Sequence, residues 1–328
     1  MMISPVSPDQ SIAPQISVIM VSYNTADMTV AAIRSLYETG GDLNFELLVY
    51  DNDSSDGSAD AIAAAFPEKD YPNMRLVRLT ENVGFARANN MAAVHARGDY
   101  LLLLNPDTVV LDGAVQALMA FAAERPEARI WGARNILGDG RLDPGSVWGN
   151  MTLWSVFCYA TGLQKLFPNN ALFNPEGYGG WDRTTERPVD IVTGCFFLTD
   201  TALWRELDGF DERFFMYAEE ADYCRRARAL GAHPRFTPSS EIIHYGGASE
   251  AVRAGQIIKV LSGKISLAKK HWPRWKVALL RVFYRLAVLI RRVGFATLGL
   301  ISGGKRGRMG RQEWKQVWAD RARWLEGY

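Results

Sequence analysis

Only three cysteines occur in 328 residues. Cys158, Cys195 and Cys224 are odd in number and never form a C-x-x-C pair. That excludes a disulfide framework or a zinc–thiolate site and fits a reducing compartment. From residue 259 onward no 18-residue stretch lacks a charge, which argues against a spanning helix in the tail. The N-terminal segment, residues 1–14, has neither a basic start nor an apolar core; it reads as a disordered lead-in rather than a signal peptide. There is no G-x-x-x-x-G-K-[ST] loop and no G-x-G-x-x-G opening a helix, so the common nucleotide cradles are missing. No internal repeat is visible.

What remains is ordinary for a soluble protein: 48% apolar and 22% charged residues. The length suits one large α/β domain plus an extension. The net charge of +1 hides an asymmetry. Residues 1–258 carry 20 Lys and Arg against 33 Asp and Glu, whereas residues 259–328 carry 17 against 3. An acidic body with a basic tail implies two jobs, with a boundary near Ala254-Gly255.

Strand and helix patterns alternate through the body. Strands are predicted over Ile16–Ser22, Phe45–Tyr50, Arg75–Leu79 and Tyr100–Asn105, with helices over Ala26–Glu38, Ser58–Phe66, Gly84–Ala96 and Asp112–Arg125. This regularity predicts a doubly wound, mainly parallel sheet flanked by helices. The strand Tyr100–Asn105 reads as buried on both faces and must stop at Pro106, which leaves Asp107 at its carboxyl end. Open α/β sheets bind ligands at that edge.

Every strand of this set ends in a polar cluster: Ser22-Tyr-Asn24, Asp51-Asn-Asp53-Ser-Ser-Asp56-Gly57, Asn82-Val-Gly84 and Asn105-Pro-Asp107. In a parallel sheet all four line one crevice. The second resembles a calcium loop only superficially, since Asp56 stands where the obligatory glycine belongs. Capping of the helix at Ser58 is an equally good account of Asp56. Gly84 reads as backbone clearance.

These clusters, in order, together with Gly209-Phe-Asp-Glu-Arg-Phe-Phe-Met-Tyr217, Glu219-Glu-Ala-Asp-Tyr-Cys-Arg225 and His244-Tyr-Gly-Gly247, resemble family 2 of the inverting glycosyltransferases, in particular a rhamnosyltransferase-like branch. The resemblance spans roughly residues 15–250. It implies a GT-A fold over residues 15–254, with a nucleotide-sugar half (15–137) and an acceptor half (138–254), followed by a helical extension over 255–328. It implies a nucleotide diphosphate sugar donor, dTDP- or UDP-linked, contacted by Ser22, Asn24, Asp51, Asp53, Asn82, Gly84, Asn89 and Asn105. It further implies Mg²⁺ or Mn²⁺ on Asp107 and His244, and an acceptor near Thr193, Gly194 and Trp181. Glu220 would be the general base, with Asp222 as fallback or support. Two residues depart from the family pattern: Asn105 replaces the first acid of the usual Asp-x-Asp, and Glu220 stands where most members carry aspartate.

The chemistry suits the residue types. A leaving diphosphate needs neutralising by a hard cation held by oxygen ligands, and single displacement needs a carboxylate to deprotonate the acceptor hydroxyl. Two other classes compete: a sugar nucleotidyltransferase, and a non-catalytic nucleotide-sugar-binding module. The first is disfavoured by the absence of a Gly-rich, Lys/Arg-bearing loop after the first strand. The second would tolerate loss of Glu220. The aromatic stretch Trp148–Asp190 reads as core or as an acceptor wall.

In the tail, Arg281, Arg285 and Arg292 fall on one helical face and Leu279, Leu280, Val282, Phe283, Leu286, Val288, Leu289 and Ile290 cover the rest. With Trp314, Trp318 and Trp324, this predicts a helix lying on an anionic membrane surface, peripheral on the cytoplasmic face. It would serve a glycan or lipid-linked acceptor in cell-surface polysaccharide synthesis. The competing readings are helices packed on the acidic body and a homodimer contact. Nucleic acid is disfavoured as a partner, because basic character is confined to the tail while the crevice is acidic.

Overall fold

The computed structural model describes residues 13–246, 253–302 and 305–328, apart from the side chains of 298–302 and 305–307. The lead-in and Gly247 of the last motif therefore lie outside the described residues, apart from Ala13 and Pro14. The chain runs β1 (Ile16–Ser22), α1 (Ala26–Thr39), β2 (Phe45–Asp51), α2 (Ser58–Ala65), β3 (Met74–Arg78), α3 (Phe85–Ala93), β4 (Tyr100–Leu104), β5 (Thr108–Val110) and α4 (Ala114–Glu124). It continues through β6 (Ile130–Ile136), β7 (Val147–Trp148), α5 (Leu153–Thr161), α6 (Leu163–Leu166), β8 (Arg187–Pro188), β9 (Ile191–Val192), β10 (Phe196–Asp200) and α7 (Thr201–Glu206). Then follow α8 (Glu219–Ala229), β11 (Arg235–His244), α9 (Arg253–His271), α10 (Arg274–Ser302), α11 (Lys305–Ala319) and α12 (Arg321–Glu326).

The central sheet has the order β3-β2-β1-β4-β10-β6-β11-β5, with β8 on β11. Its first four strands are parallel, as the alternation predicts. Strand β1 and β2 are buried along their whole length, because helices cover both faces. Strand β10 inserts antiparallel between β4 and β6. The apolar pattern of Val192–Leu198 reads as one strand, but it is broken at Thr193-Gly194-Cys195, where the chain passes from β9 into β10. Two cores lie on the two faces of the sheet, around Val18, Leu47 and Leu102 and around Ile19, Leu103 and Phe197.

A third core belongs to the tail. Residues Ile258, Ile265, Leu280, Tyr284, Val288, Trp314, Val317 and Trp324 pack with Val156 of α5. Trp314 and Trp324 are buried, and the Trp324 indole donates to Val317 O. The expectation that these tryptophans face a membrane is thereby corrected: indole area is better satisfied here by packing among helices. Leu280 and Val288 turn inward as well.

The basic tail is also anchored by charge. The fully buried Asp222 carboxylate on α8 accepts from Arg226 Nε, Lys270 Nζ and His271 Nε2, each at 2.7 Å. Lys270 also meets Asp211 at 2.7 Å. Lys264 Nζ reaches Glu176 at 2.6 Å. Helix α9 thus directs cations onto the acidic body, and Gly263 lets it approach: a Cβ there would sit 2.3 Å from Tyr217 O.

Burial opposes the Asp222 charge, but Lys270, Arg226 and His271 more than offset it and hold its carboxyl below the usual range. A carboxyl depressed in the folded state contributes stability above the unfolded pKa and loses it as pH falls through the folded one. Asp222→Asn should therefore cost about 3 kcal/mol at pH 7 in denaturant unfolding. The gap to wild type should be complete at neutral pH and shrink below about pH 4. An equal gap at pH 3 and pH 7 would contradict this.

Candidate active site

The crevice is assembled at the carboxyl ends of β1, β2 and β4. Ser22 is buried with its hydroxyl 2.9 Å from that of Thr29. Asn24 takes left-handed backbone (φ 52) and its Oδ1 accepts from Ser55 N at 2.8 Å. Asp51 is buried; Oδ2 accepts from Ser54 N at 3.1 Å, whereas Oδ1 is buried with no partner. Asp53, at φ 65, is exposed. Asp56 accepts from Ser58 N and Ala26 N, the first residues of α2 and α1, although the N-cap position of α2 itself is Gly57. These loops therefore hold one another in shape, and Asp51 Oδ1 is left buried without a donor.

On the next loop, Asn82 Oδ1 accepts from Gly84 N and from Asn52 Nδ2, both at 3.0 Å. Asn52 returns the bond by accepting from Val83 N. Sequence reasoning passed over Asn52; its place inside the second polar cluster was the available signal. Gly84 sits at φ +84, and a Cβ there would meet Phe215 O at 2.5 Å. Phe85 N donates to that same carbonyl at 2.7 Å. The glycine therefore lets the Phe214–Ala218 segment dock on the Asn82–Gly84 loop. Asn89 is buried and donates to Phe85 O within its own helix. Asn90, also unforeseen, clasps Phe210 through both its amide atoms.

Register brings the metal candidates together. The antiparallel pair β11–β5 puts His244 opposite Thr108, and Tyr245 N donates to Asp107 O. His244 Nε2 then lies 3.5 Å from Asp107 Oδ1, while Nδ1 lies 3.2 Å from Asp143 Oδ2. Burial alone would pull the imidazolium down; the Cys195 sulfur and the Asp107 and Asp143 carboxylates instead hold it up to about 11. Asp143 was not foreseen, because its only sequence signal is an acid in a loop. A carboxylate orienting a histidine from behind is a common outer-shell arrangement around a metal. Asn105 N donates to Cys195 O, and its Oδ1 is buried without a partner.

Among the described residues no group of three or more His, Cys, Asp or Glu side chains converges as a complete metal cage. Asp107 and His244 with one orphaned amide oxygen nearby fit a cation that takes its other ligands from phosphate and water, as Mg²⁺ does.

Of the residues that the resemblance assigns to the acceptor, the Thr193 hydroxyl donates to Gly145 O, and Gly194 lies next to the Phe85 ring. Trp181 packs edge-on to Phe236 under the Arg187 guanidinium, 4.8 Å from its ring, so part of the ring is already covered.

Helix α8 opens with Glu219 and Glu220 after two left-handed non-glycine residues, Tyr217 (φ 70) and Ala218 (φ 77). Such backbone persists only where surrounding structure enforces it; here α9 and Phe215 do so. Each glutamate has a buried Oε2 without a partner. Desolvation raises Glu220 above the usual range, and it raises Glu219 further, with Glu220 adding repulsion. Asp222, by contrast, is closed to solvent, and both its oxygens are engaged by cations.

A family model for glycosyl transferase family 2 matches residues 17–183. The chain belongs to glycosyltransferase family 2. It is 26% identical over 255 residues to an N-acetylglucosaminyl-diphospho-decaprenol L-rhamnosyltransferase of Mycobacterium tuberculosis, covering 71% of this chain and 78% of the relative. It is 23% identical over 181 residues to the rhamnosyltransferase WbbL of Escherichia coli, covering 49% of this chain and 61% of the relative. Among solved structures, the mannosyltransferase PcManGT of Pyrobaculum calidifontis, in complex with GDP-Man and Mn²⁺, superposes with a TM-score of 0.56 at 17% identity. That match covers 97% of this chain and 89% of the other and supports the GT-A-like fold. The transferase is thus of the rhamnosyltransferase-like branch.

The two glycines of the crevice should separate cleanly. Gly84→Ala should cost the transferase about 2 kcal/mol of stability, through positive φ and the contact with Phe215 O. Gly194→Ala, whose Cβ would lie 3.5 Å from the Phe85 ring, should stay within about 0.5 kcal/mol. Thermal unfolding of the pair checks this; equal losses would contradict the assigned roles.

Proposed function

We propose that the enzyme is an inverting glycosyltransferase that moves a sugar, L-rhamnose being favoured, from a dTDP- or UDP-linked donor to a lipid-linked glycan acceptor at the cytoplasmic membrane surface. The observation that carries the mechanism is the pair of desolvated carboxylates at the start of α8, held beside the donor-side loop by the Phe85 N to Phe215 O bond. The names of the two relatives support rhamnose, and that of the mycobacterial one supports a polyprenyl diphosphate acceptor.

Asp51, with its free Oδ1, and Asn82 and Asn24 would hold the nucleoside; Ser22 stiffens the loop behind them through Thr29. Asp107 and His244, steadied by Asp143, would hold Mg²⁺ or Mn²⁺. Such an ion supplies Lewis-acid neutralisation of the leaving diphosphate. Glu220 takes the proton of the acceptor hydroxyl as that oxygen bonds to the anomeric carbon and the bond from carbon to diphosphate oxygen breaks, so configuration inverts. A carboxylate raised above its ordinary range is a stronger base, provided the pH keeps it ionised. Thr193 and Gly194 line the acceptor side, and Trp181 forms its outer wall.

This reading predicts that kcat/KM falls on the acid side with a midpoint above the ordinary glutamate range. Glu220→Gln should retain donor binding, lose about 10² or more in transfer and lose that acid limb. Unchanged transfer would move the base elsewhere. Asp107→Ala should keep its melting temperature within a few degrees while abolishing metal-stimulated release of nucleoside diphosphate; full activity would overturn the metal assignment.

A further inference from the structure

Helix α10 has an inner and an outer face. Val277, Leu280, Tyr284, Ala287 and Val288 are buried against the third core. On the opposite side, Trp275, Leu279, Val282, Leu286, Leu289 and Val293 recur at steps of four and three residues, one continuous stripe on a helix. These six are between 38% and 59% exposed. The stripe spans most of the helix, and Ile290, 45% exposed, joins it to Met309 of α11, 53% exposed, across a cavity that both residues line. A contiguous apolar surface of this kind marks an interaction site.

The charges beside it identify the occupant. At 100° per residue Arg274, Arg281, Arg285 and Arg292 fall in one row along a flank of the stripe, and Lys276 lies on the other flank. Arg274 and Arg285 are exposed; Arg281 donates to Leu325 O and Arg292 lies over the Trp318 ring. No Asp or Glu occurs between residues 274 and 302. Unlike Lys264 and Lys270 of α9, which pair with body acids, this row has no acid on its own helix.

We infer that the outward stripe of α10, with its flanking arginine row, is the surface by which the enzyme docks in the headgroup region of an anionic lipid bilayer. Apolar side chains on one face and guanidinium groups at its margin match the boundary between acyl chains and phosphate headgroups. A second copy fits less well: pairing two such stripes would bring two arginine rows to one seam with no carboxylate to receive them. Among the described residues no helix is long and apolar enough to cross a membrane, so the contact is interfacial. The inference rests on the proposed lipid-linked acceptor, and it names the face that meets the lipid.

Flotation of the full-length protein with phosphatidylcholine vesicles, with and without phosphatidylglycerol, tests it. Wild type should float with the anionic vesicles, and salt should weaken this. Leu279→Gln/Leu286→Gln/Leu289→Gln should weaken binding at least about 100-fold. Arg274→Gln/Arg285→Gln should weaken it about 10-fold. Both variants change exposed positions and should keep the wild-type melting temperature and transfer to a water-soluble acceptor analogue. If wild type floats and the leucine variant floats equally, the face is wrong while the membrane reading stands. If wild type stays soluble at low salt but transfers sugar to the analogue, membrane docking fails and the transferase reading survives. A wild-type dimer abolished by the leucine changes, with no flotation, would give the face to a second copy and overturn the inference.

Discussion

The site depends on one constraint, the antiparallel insertion of β10 between β4 and β6 and the matching return of β11 onto β5. Parallel strands alone deliver Ser22, Asp51 and Asn105 to one edge. They cannot deliver His244, which lies more than 130 residues beyond Asp107. Backbone pairing of β11 with β5 sets that histidine opposite Thr108, and β10 lays Cys195 beside Asn105 through a backbone bond. Because each partner is fixed by ladder hydrogen bonds, the polar end of the sheet is held rigid. Preorganisation of this kind is what displacement at a charged leaving group needs.

The C-terminal helices extend that rigidity to α8 and to the segment before β8. Lys264 holds Glu176 of the segment between α5 and β8, Lys270 and His271 hold Asp222 beneath Glu220, and the Tyr328 hydroxyl donates to Met216 O. Burial works against the Lys264 charge, yet Glu176 more than offsets it. The charge asymmetry of the chain therefore has a physical meaning. Part of the basic tail neutralises buried acids of the body, and part, on α10, is left at the surface beside an apolar stripe.

Much of this was legible in the sequence. The first four strands and helices lie within a few residues of the segments predicted, because strands buried on both faces have a plain apolar signature. The polar clusters at their ends were equally visible, as were Asp107 and the Glu219-Glu220 pair. Residues whose role depends on long-range register were not. Asn52, Asn90 and Asp143 are unremarkable in sequence and acquire partners only when loops 30 to 120 residues apart meet. Trp314 and Trp324 misled for a related reason: tryptophan spacing on a helix is the same whether the ring faces lipid or a neighbouring helix, and here the neighbour wins. Asp222 likewise looked like a spare base until the cations of α9 were placed around it.

The central claim is that register alone makes one metal-holding corner from Asp107 and His244. Crystals grown with a nucleoside diphosphate and Mn²⁺, measured near the manganese absorption edge, test it most directly. The account predicts one anomalous peak within bonding distance of the Asp107 carboxylate and the His244 ring, touching the diphosphate oxygens. A peak elsewhere in the crevice, or a bound diphosphate with no peak at saturating Mn²⁺, would contradict it.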